Sequence, residues 1–118
     1  DWREAGIVPQ ARLLNMPVVP ITSHCHPGRR PRQASIGGLT TTGMEVTALK
    51  RADAGDGLIV RVADVHGSGS AGELHWQGEA FPITLAPCEV ATFRLAEVDG
   101  RWQLAACDML ERTRHTGE

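Results

Sequence analysis

The chain has 118 residues, of which 42% are hydrophobic and 22% charged, and its formal net charge at neutral pH is −2. That length supports one core and no second one, and the composition is too apolar for intrinsic disorder. The slight negative charge excludes the basic footprint of a nucleic-acid binder, and runs such as Leu58-Ile59-Val60 fall far short of the ~20 apolar residues that span a bilayer. Neither nucleic acid nor membrane is an expected partner.

The chain opens on Asp1 without a basic-then-apolar leader, and it reads as a piece of a longer protein. An odd cysteine count, Cys25, Cys88 and Cys107, argues against a disulfide framework and for a reducing cytoplasm as the expected compartment. Residues 1–15 have a weakly helical pattern that Gly6 and Pro9 interrupt, so a connector is expected there. Between Pro17 and Pro31 the prolines fix extended or turn geometry and remove amide donors, which predicts an irregular loop.

From residue 34 onward, short β-branched runs alternate with Gly, Asp and Pro. They predict strands over 34–39, 44–52, 57–65, 72–76, 81–85, 88–97 and 102–109, and hence an all-β fold, an antiparallel β-sandwich of about seven strands. Ala54-Gly55-Asp56-Gly57 and Asp99-Gly100 are predicted hairpin turns, and Gly67-Ser68-Gly69-Ser70 a flexible tip. In the 57–65 strand Leu58, Val60 and Val62 share an apolar face while Ile59, Arg61 and Ala63 share a mixed one, the pattern of a central strand. Lys50, Arg51, Arg61 and Arg94 are expected to pair across the sheet with Glu45, Asp64 or Glu89. The division expected is a connector and proline-rich loop over 1–32, a β-sandwich accessory domain over 33–112 and a tail over 113–118.

Little in these residues suggests catalysis. His24-Cys25-His26 offers metal-binding atoms, and His24 and His26 share a face of an extended chain, but no further ligand stands at a spacing that completes a zinc site. A retaining glycosidase needs two carboxyl groups about 5–5.5 Å apart, whereas Asp64, Glu73, Glu79 and Glu89 fall on separate strands. Of the five aromatic residues, Phe81, Phe93 and Trp102 are claimed by the core or its edge. That leaves Trp76 as the candidate platform on which a sugar would stack, against the alternative that it packs in the core.

Two longer segments carry a resemblance. Val46-Thr47-Ala48-Leu49-Lys50-Arg51-Ala52, followed by Asp56-Gly57-Leu58-Ile59-Val60-Arg61, resembles the C-terminal β domain of family 38 glycoside hydrolases, the α-mannosidases. Pro87-Cys88-Glu89-Val90-Ala91-Thr92-Phe93-Arg94-Leu95 looks like that family's closing strand, Leu14-Asn15-Met16-Pro17 like its lead-in and Asp108-Met109-Leu110-Glu111 like its late "LLE" segment. The pattern departs at Ala63-Asp64, where the family has an aromatic residue and a glutamate. The resemblance implies a non-catalytic module that supports a catalytic domain elsewhere in its parent. The zinc ion and carboxylate nucleophile of α-mannoside hydrolysis would lie in that domain, and no cofactor is expected in this segment. Its expected partners are the catalytic and middle domains of the same parent, with carbohydrate as a further candidate. Arg29, Arg30 and Arg32, on the proline-stiffened loop, are the residues expected to dock on an acidic surface there or to reach a sugar hydroxyl, if they are not simply solvated.

Overall fold

A computed structural model of the chain describes residues 1–112. It divides into two compact units, Asp1–Ser35 and a second that begins at Ile36. The expected tail, 113–118, lies outside the described residues.

The first unit contains helix α1, Ile7–Asn15, where the sequence predicts a connector. Gly6 takes the N-cap position with φ 64°, and Pro9 is the third helical residue. In the first turn an amide has no intrahelical acceptor, so a proline there costs no hydrogen bond, and the interruption read from the sequence does not materialise. No residue of this unit is buried. Leu13, Leu14, Met16, Val18, Val19 and Ile21 are all more than half exposed.

The second unit is all strand and turn. Its elements are β1 (Gly37–Leu39), β2 (Met44–Arg51), β3 (Leu58–Asp64), β4 (Ser70–Trp76), β5 (Glu79–Leu85), β6 (Val90–Val98) and β7 (Arg101–Cys107). They form two antiparallel sheets, a three-stranded one in the order β1-β4-β5 and a four-stranded one in the order β2-β3-β6-β7. The β-sandwich read from the strand spacing is therefore present, with each of the seven predicted strands at its place and the ends shifted by a few residues. The expected tip at Gly67-Ser68-Gly69-Ser70 is partly strand, since β4 starts at Ser70.

Two tight turns set the hairpin registers. Asp99 and Gly100, at φ 51° and 75°, join β6 to β7 with Val98 opposite Arg101. Gln77 and Gly78, at 47° and 91°, do the same for β4 and β5 with Trp76 opposite Glu79. Consecutive positive φ values mark the turn whose twist matches the strands it joins. The second of these was not visible as a turn because glutamine is a rare occupant of that conformation.

The core lies between the sheets. Met44, Val60, Val62 and Leu95 enter from the four-stranded sheet, and Leu74, Trp76, Ile83 and Leu85 from the three-stranded one. Phe81, Phe93, Trp102 and Leu104 pack around them half-buried. β3 is central, as its pattern predicts, with Leu58, Val60 and Val62 inward. A bulge between Val46 and Ala48 reverses the faces of β2, so that Leu49 follows Val46 onto the inner side.

One residue departs from the pattern. Ile59 points away from this core, on the face read as mixed, yet it is only 1% exposed. Truncation should distinguish it from a half-exposed strand side chain. Ile59→Ala is expected to lower the unfolding free energy by about 2–5 kcal/mol, as for a core position, while Leu49→Ala, at a site 53% exposed, should cost well under half as much in the same urea titration.

Candidate functional site

The outer face of the four-stranded sheet gathers most of the chain's long-range polar contacts. Register places Lys50, Ile59, Arg94 and Ala105 in one row across β2, β3, β6 and β7. The Lys50 ammonium contacts Asp53 Oδ1 at 2.6 Å and Glu111 Oε1 at 2.5 Å. Glu111 Oε2 accepts the Asp53 backbone N–H at 2.7 Å, so one carboxylate ties the end of β2 to the segment that follows β7. The hydrogen bonds that Lys50 donates to Asp53 and then Glu111 raise its pKa, and the bond accepted from Lys50 lowers that of Asp53.

Arg94 serves the neighbouring turn. Its Nη2 donates to the carbonyl oxygens of Ala54 and, at 2.8 Å, of Asp56. Gly55, at φ 68°, lets the chain curl there, and a Cβ at that position would stand 3.2 Å from the guanidinium. Further along the face Arg61 Nε donates to Thr92 Oγ1 at 3.3 Å, and that hydroxyl lies 3.4 Å from Met109 Sδ.

A second polar centre sits at one end of the sandwich. Asp64 is 9% exposed and its carboxylate accepts four hydrogen bonds. The donors are the backbone N–H groups of His66 (3.3 Å), Gly69 (3.1 Å) and Cys88 (2.9 Å) and the Ser70 hydroxyl (3.1 Å). These bonds, that from Cys88 first, hold the carboxyl below the usual aspartate range against an opposing effect of desolvation. The β3–β4 and β5–β6 loops are thereby fastened to one side chain.

Lys50, Arg61, Arg94, Asp64 and Glu89 make these contacts where the sequence predicts cross-sheet ion pairs. Lys50 pairs with Asp53 and Glu111, while Arg61 and Arg94 bond a hydroxyl and carbonyls. Asp64 collects loop amides, and Glu89 accepts the Ala86 N–H at 2.7 Å. For Arg94, Asp64 and Glu89 the reason is geometric, because each lies near turn backbone, and satisfying those amides and carbonyls outweighs a solvent-screened pair.

A cavity of about 240 Å³ opens beside β6 and β7, lined by Thr84, Glu89, Thr92, Phe93, Cys107 and Met109 among others. It lies below the ~300–1,000 Å³ of typical small-molecule sites. Burial, followed by the charges of Asp108 and Glu111, pushes the Cys107 thiol up, away from the thiolate a nucleophile needs. The carboxylates on its wall are engaged, Glu89 with Ala86 and Asp108 with Leu110 and Arg112.

The residues singled out from the sequence fall in different units, Trp76 in the second and the arginines and histidines of 24–32 in the first. Trp76 is 9% exposed and belongs to the core, its ring 5.7 Å from that of Trp102 in an edge-to-face arrangement. It therefore offers no exposed face for a sugar, which corrects the platform expectation: its position on β4 points inward with Leu74. Its indole N–H is buried without a hydrogen-bond acceptor among the described residues. Arg29, Arg30 and Arg32 are exposed in the first unit, as are His24 and His26, with His26 Nδ1 3.2 Å from the Pro27 carbonyl. No group of three His, Cys, Asp or Glu side chains among the described residues is arranged to hold a metal ion. No helix among them is long and apolar enough to cross a membrane.

Comparisons with protein-family models, with curated proteins and with solved structures find no match for this chain.

The Asp64 knot makes a pH prediction. A carboxyl whose folded pKa lies below its unfolded value stabilises the fold fully above the unfolded value near 3.8, and that contribution fades as pH falls through the depressed folded one. Asp64→Asn should therefore lower the melting temperature at pH 7 and shrink the loss of stability between pH 4 and more acidic solution, as read by thermal scans across that range.

Proposed function

We propose that this chain is the non-catalytic C-terminal β-sandwich of an α-mannosidase-like glycoside hydrolase, which buttresses a zinc-dependent catalytic domain in the same parent. The observation that carries the reading is where the resembling segments fall. Those around Ala48-Leu49-Lys50, Leu58-Ile59-Val60, Thr92-Phe93-Arg94 and Leu110-Glu111 are far apart in sequence, yet they interlock on one sheet. Lys50 meets Glu111, Arg94 holds the turn at 54–56, and Ile59 lies between Lys50 and Arg94 in register. A set of residues that act together physically is what an inherited pattern would retain, and the lead-in Leu14-Asn15-Met16-Pro17, in the first unit, stands outside that set.

Two further features support a supporting role. The first unit exposes its apolar side chains and buries none of its residues, as a segment that packs against more of a parent chain would. The carboxylates of Asp64, Asp108 and Glu111 are directed at turn backbone, an ammonium and a guanidinium group. In the parent, zinc and the nucleophile would be supplied by the catalytic domain, and this module would supply shape. The same reasoning gives the location of the module as that of its parent, for which the cytoplasm remains our proposal.

The purified chain is expected to leave an aryl α-mannoside unhydrolysed and to give no heat on titration with mannose oligosaccharides, while the coding sequence upstream of Asp1 encodes a zinc-hydrolase domain. Hydrolysis by the pure chain would remove the non-catalytic reading, and an upstream frame without such a domain would remove the parent.

A further inference from the structure

An exposed sheet edge presents a row of backbone N–H and C=O groups to any strand that approaches, and proteins blunt such edges with short strands, bulges, charge or proline. Three of the four edges here carry such a feature. β1 has only three residues. β2 is broken by the bulge at Val46/Ala48 and carries Lys50 and Arg51. On β5 the turn at Gln77-Gly78 makes Trp76 and Glu79 a hydrogen-bonded pair, so residues 79, 81, 83 and 85 bond to β4 and 80, 82 and 84 face outward. The middle one of these is Pro82, which has no N–H to give.

β7 differs. The turn at Asp99-Gly100 makes Val98 and Arg101 the hydrogen-bonded pair, so residues 101, 103, 105 and 107 bond to β6. The backbone groups of Trp102, Leu104 and Ala106 then face away from the sheet. The Asp108 N–H, next in this outward set, is already closed by the Arg112 carbonyl at 2.9 Å, which marks where the open row ends. Among the described residues β7 is the one full-length edge without a bulge, a proline or an interior charge.

We propose that β7 pairs with the β7 of a second copy of this chain, antiparallel about a two-fold axis at Leu104, joining the two four-stranded sheets into one. The outward set is centred on Leu104, so the strand is its own complement. In that register Leu104 faces Leu104 and Trp102 faces Ala106 as hydrogen-bonded pairs, and all three outward residues of each copy find partners. Arg101 of one copy falls opposite Cys107 of the other, and the second Arg101 does the same by symmetry, so no like charges meet in the paired strands. The half-buried Trp102 and Leu104, at the open rim of the core, are covered by the joined strand.

The register also places Gln103 directly opposite Ala105 of the other copy, on the outer face, where both are exposed. That makes the proposal testable by sedimentation of the whole chain at concentrations up to ~1 mM, where a contact confined to paired strands still populates the dimer. Gln103→Glu with Ala105→Glu sets two like-charge pairs across the axis and should weaken the dimer. Gln103→Lys with Ala105→Glu sets two opposite-charge pairs and should strengthen it. Each change is expected to be roughly 2- to 30-fold in the dissociation constant, with the urea midpoint of the monomer serving as the control for folding. A chain that stays monomeric throughout would overturn self-pairing and leave the edge to a strand of another protein. A dimer that ignores both substitutions would overturn the β7 register.

Discussion

The structure of the second unit depends on β3 being buried on both faces. Val60 and Val62 face the three-stranded sheet, as any inner strand of a two-layer sandwich requires. Ile59 faces the other way and is as well buried as they are, although the described strands of this unit form only two layers. Lys50 and Arg94 flank it in register, and long cationic side chains cover apolar surface with their stems while their heads reach polar partners. Each head is then held by backbone or carboxylate from a different part of the chain. The turn at 53–57 wraps Arg94, and the segment after β7 returns so that Glu111 meets both Lys50 and the Asp53 amide. Lys50 and Asp53 are solvent-accessible and their pair by itself contributes little, so the effect of these contacts is to fix where the cover lies.

This arrangement explains which parts of the structure were legible in the sequence. Strand positions follow from local alternation, and the inner face of β3 could be read directly from Leu58, Val60 and Val62. The two-sided burial of β3 could not, because the partners of Ile59 come from strands and turns whose pairing no local pattern encodes. Lys50 and Glu111 are a case in point: acidic residues much nearer in sequence, such as Glu45, looked equally suitable. Asp64 was visible as an acid at a strand end beside Gly67-x-Gly69, the composition of a loop with free amides, and that was the available signal for its role. Pro9 and Trp76 show the opposite limit. A proline reads as a helix breaker until the helix start is known, and a tryptophan between His75 and Gln77 reads equally as a platform or a core residue until the strand face is known.

For function, the contrast between the two polar centres and the cavity is informative. The charged groups that converge are consumed in fastening turns: Asp64 with four donors, Arg94 with two carbonyls and Glu111 with an ammonium and an amide. Catalysis by general acid and base requires groups poised near neutral pH and open to substrate. Here the shifted carboxyls move away from that range, and the one raised thiol moves further from reactivity. These groups act as fasteners of strand ends and turns. Both the parent-domain reading and the open β7 edge concern what a sheet so fastened supports.

The most direct test of the account is amide hydrogen exchange on the whole chain and on a chain ending at Cys107. If the return of residues 108–112 covers the outer face, the shortened chain should lose protection at Ile59, Arg61 and Arg94 while Leu74 and Ile83, in the other sheet, keep theirs. Equal protection at all five positions in the two chains would show that Ile59 is buried without that cover, and would contradict the dependence on which this account rests.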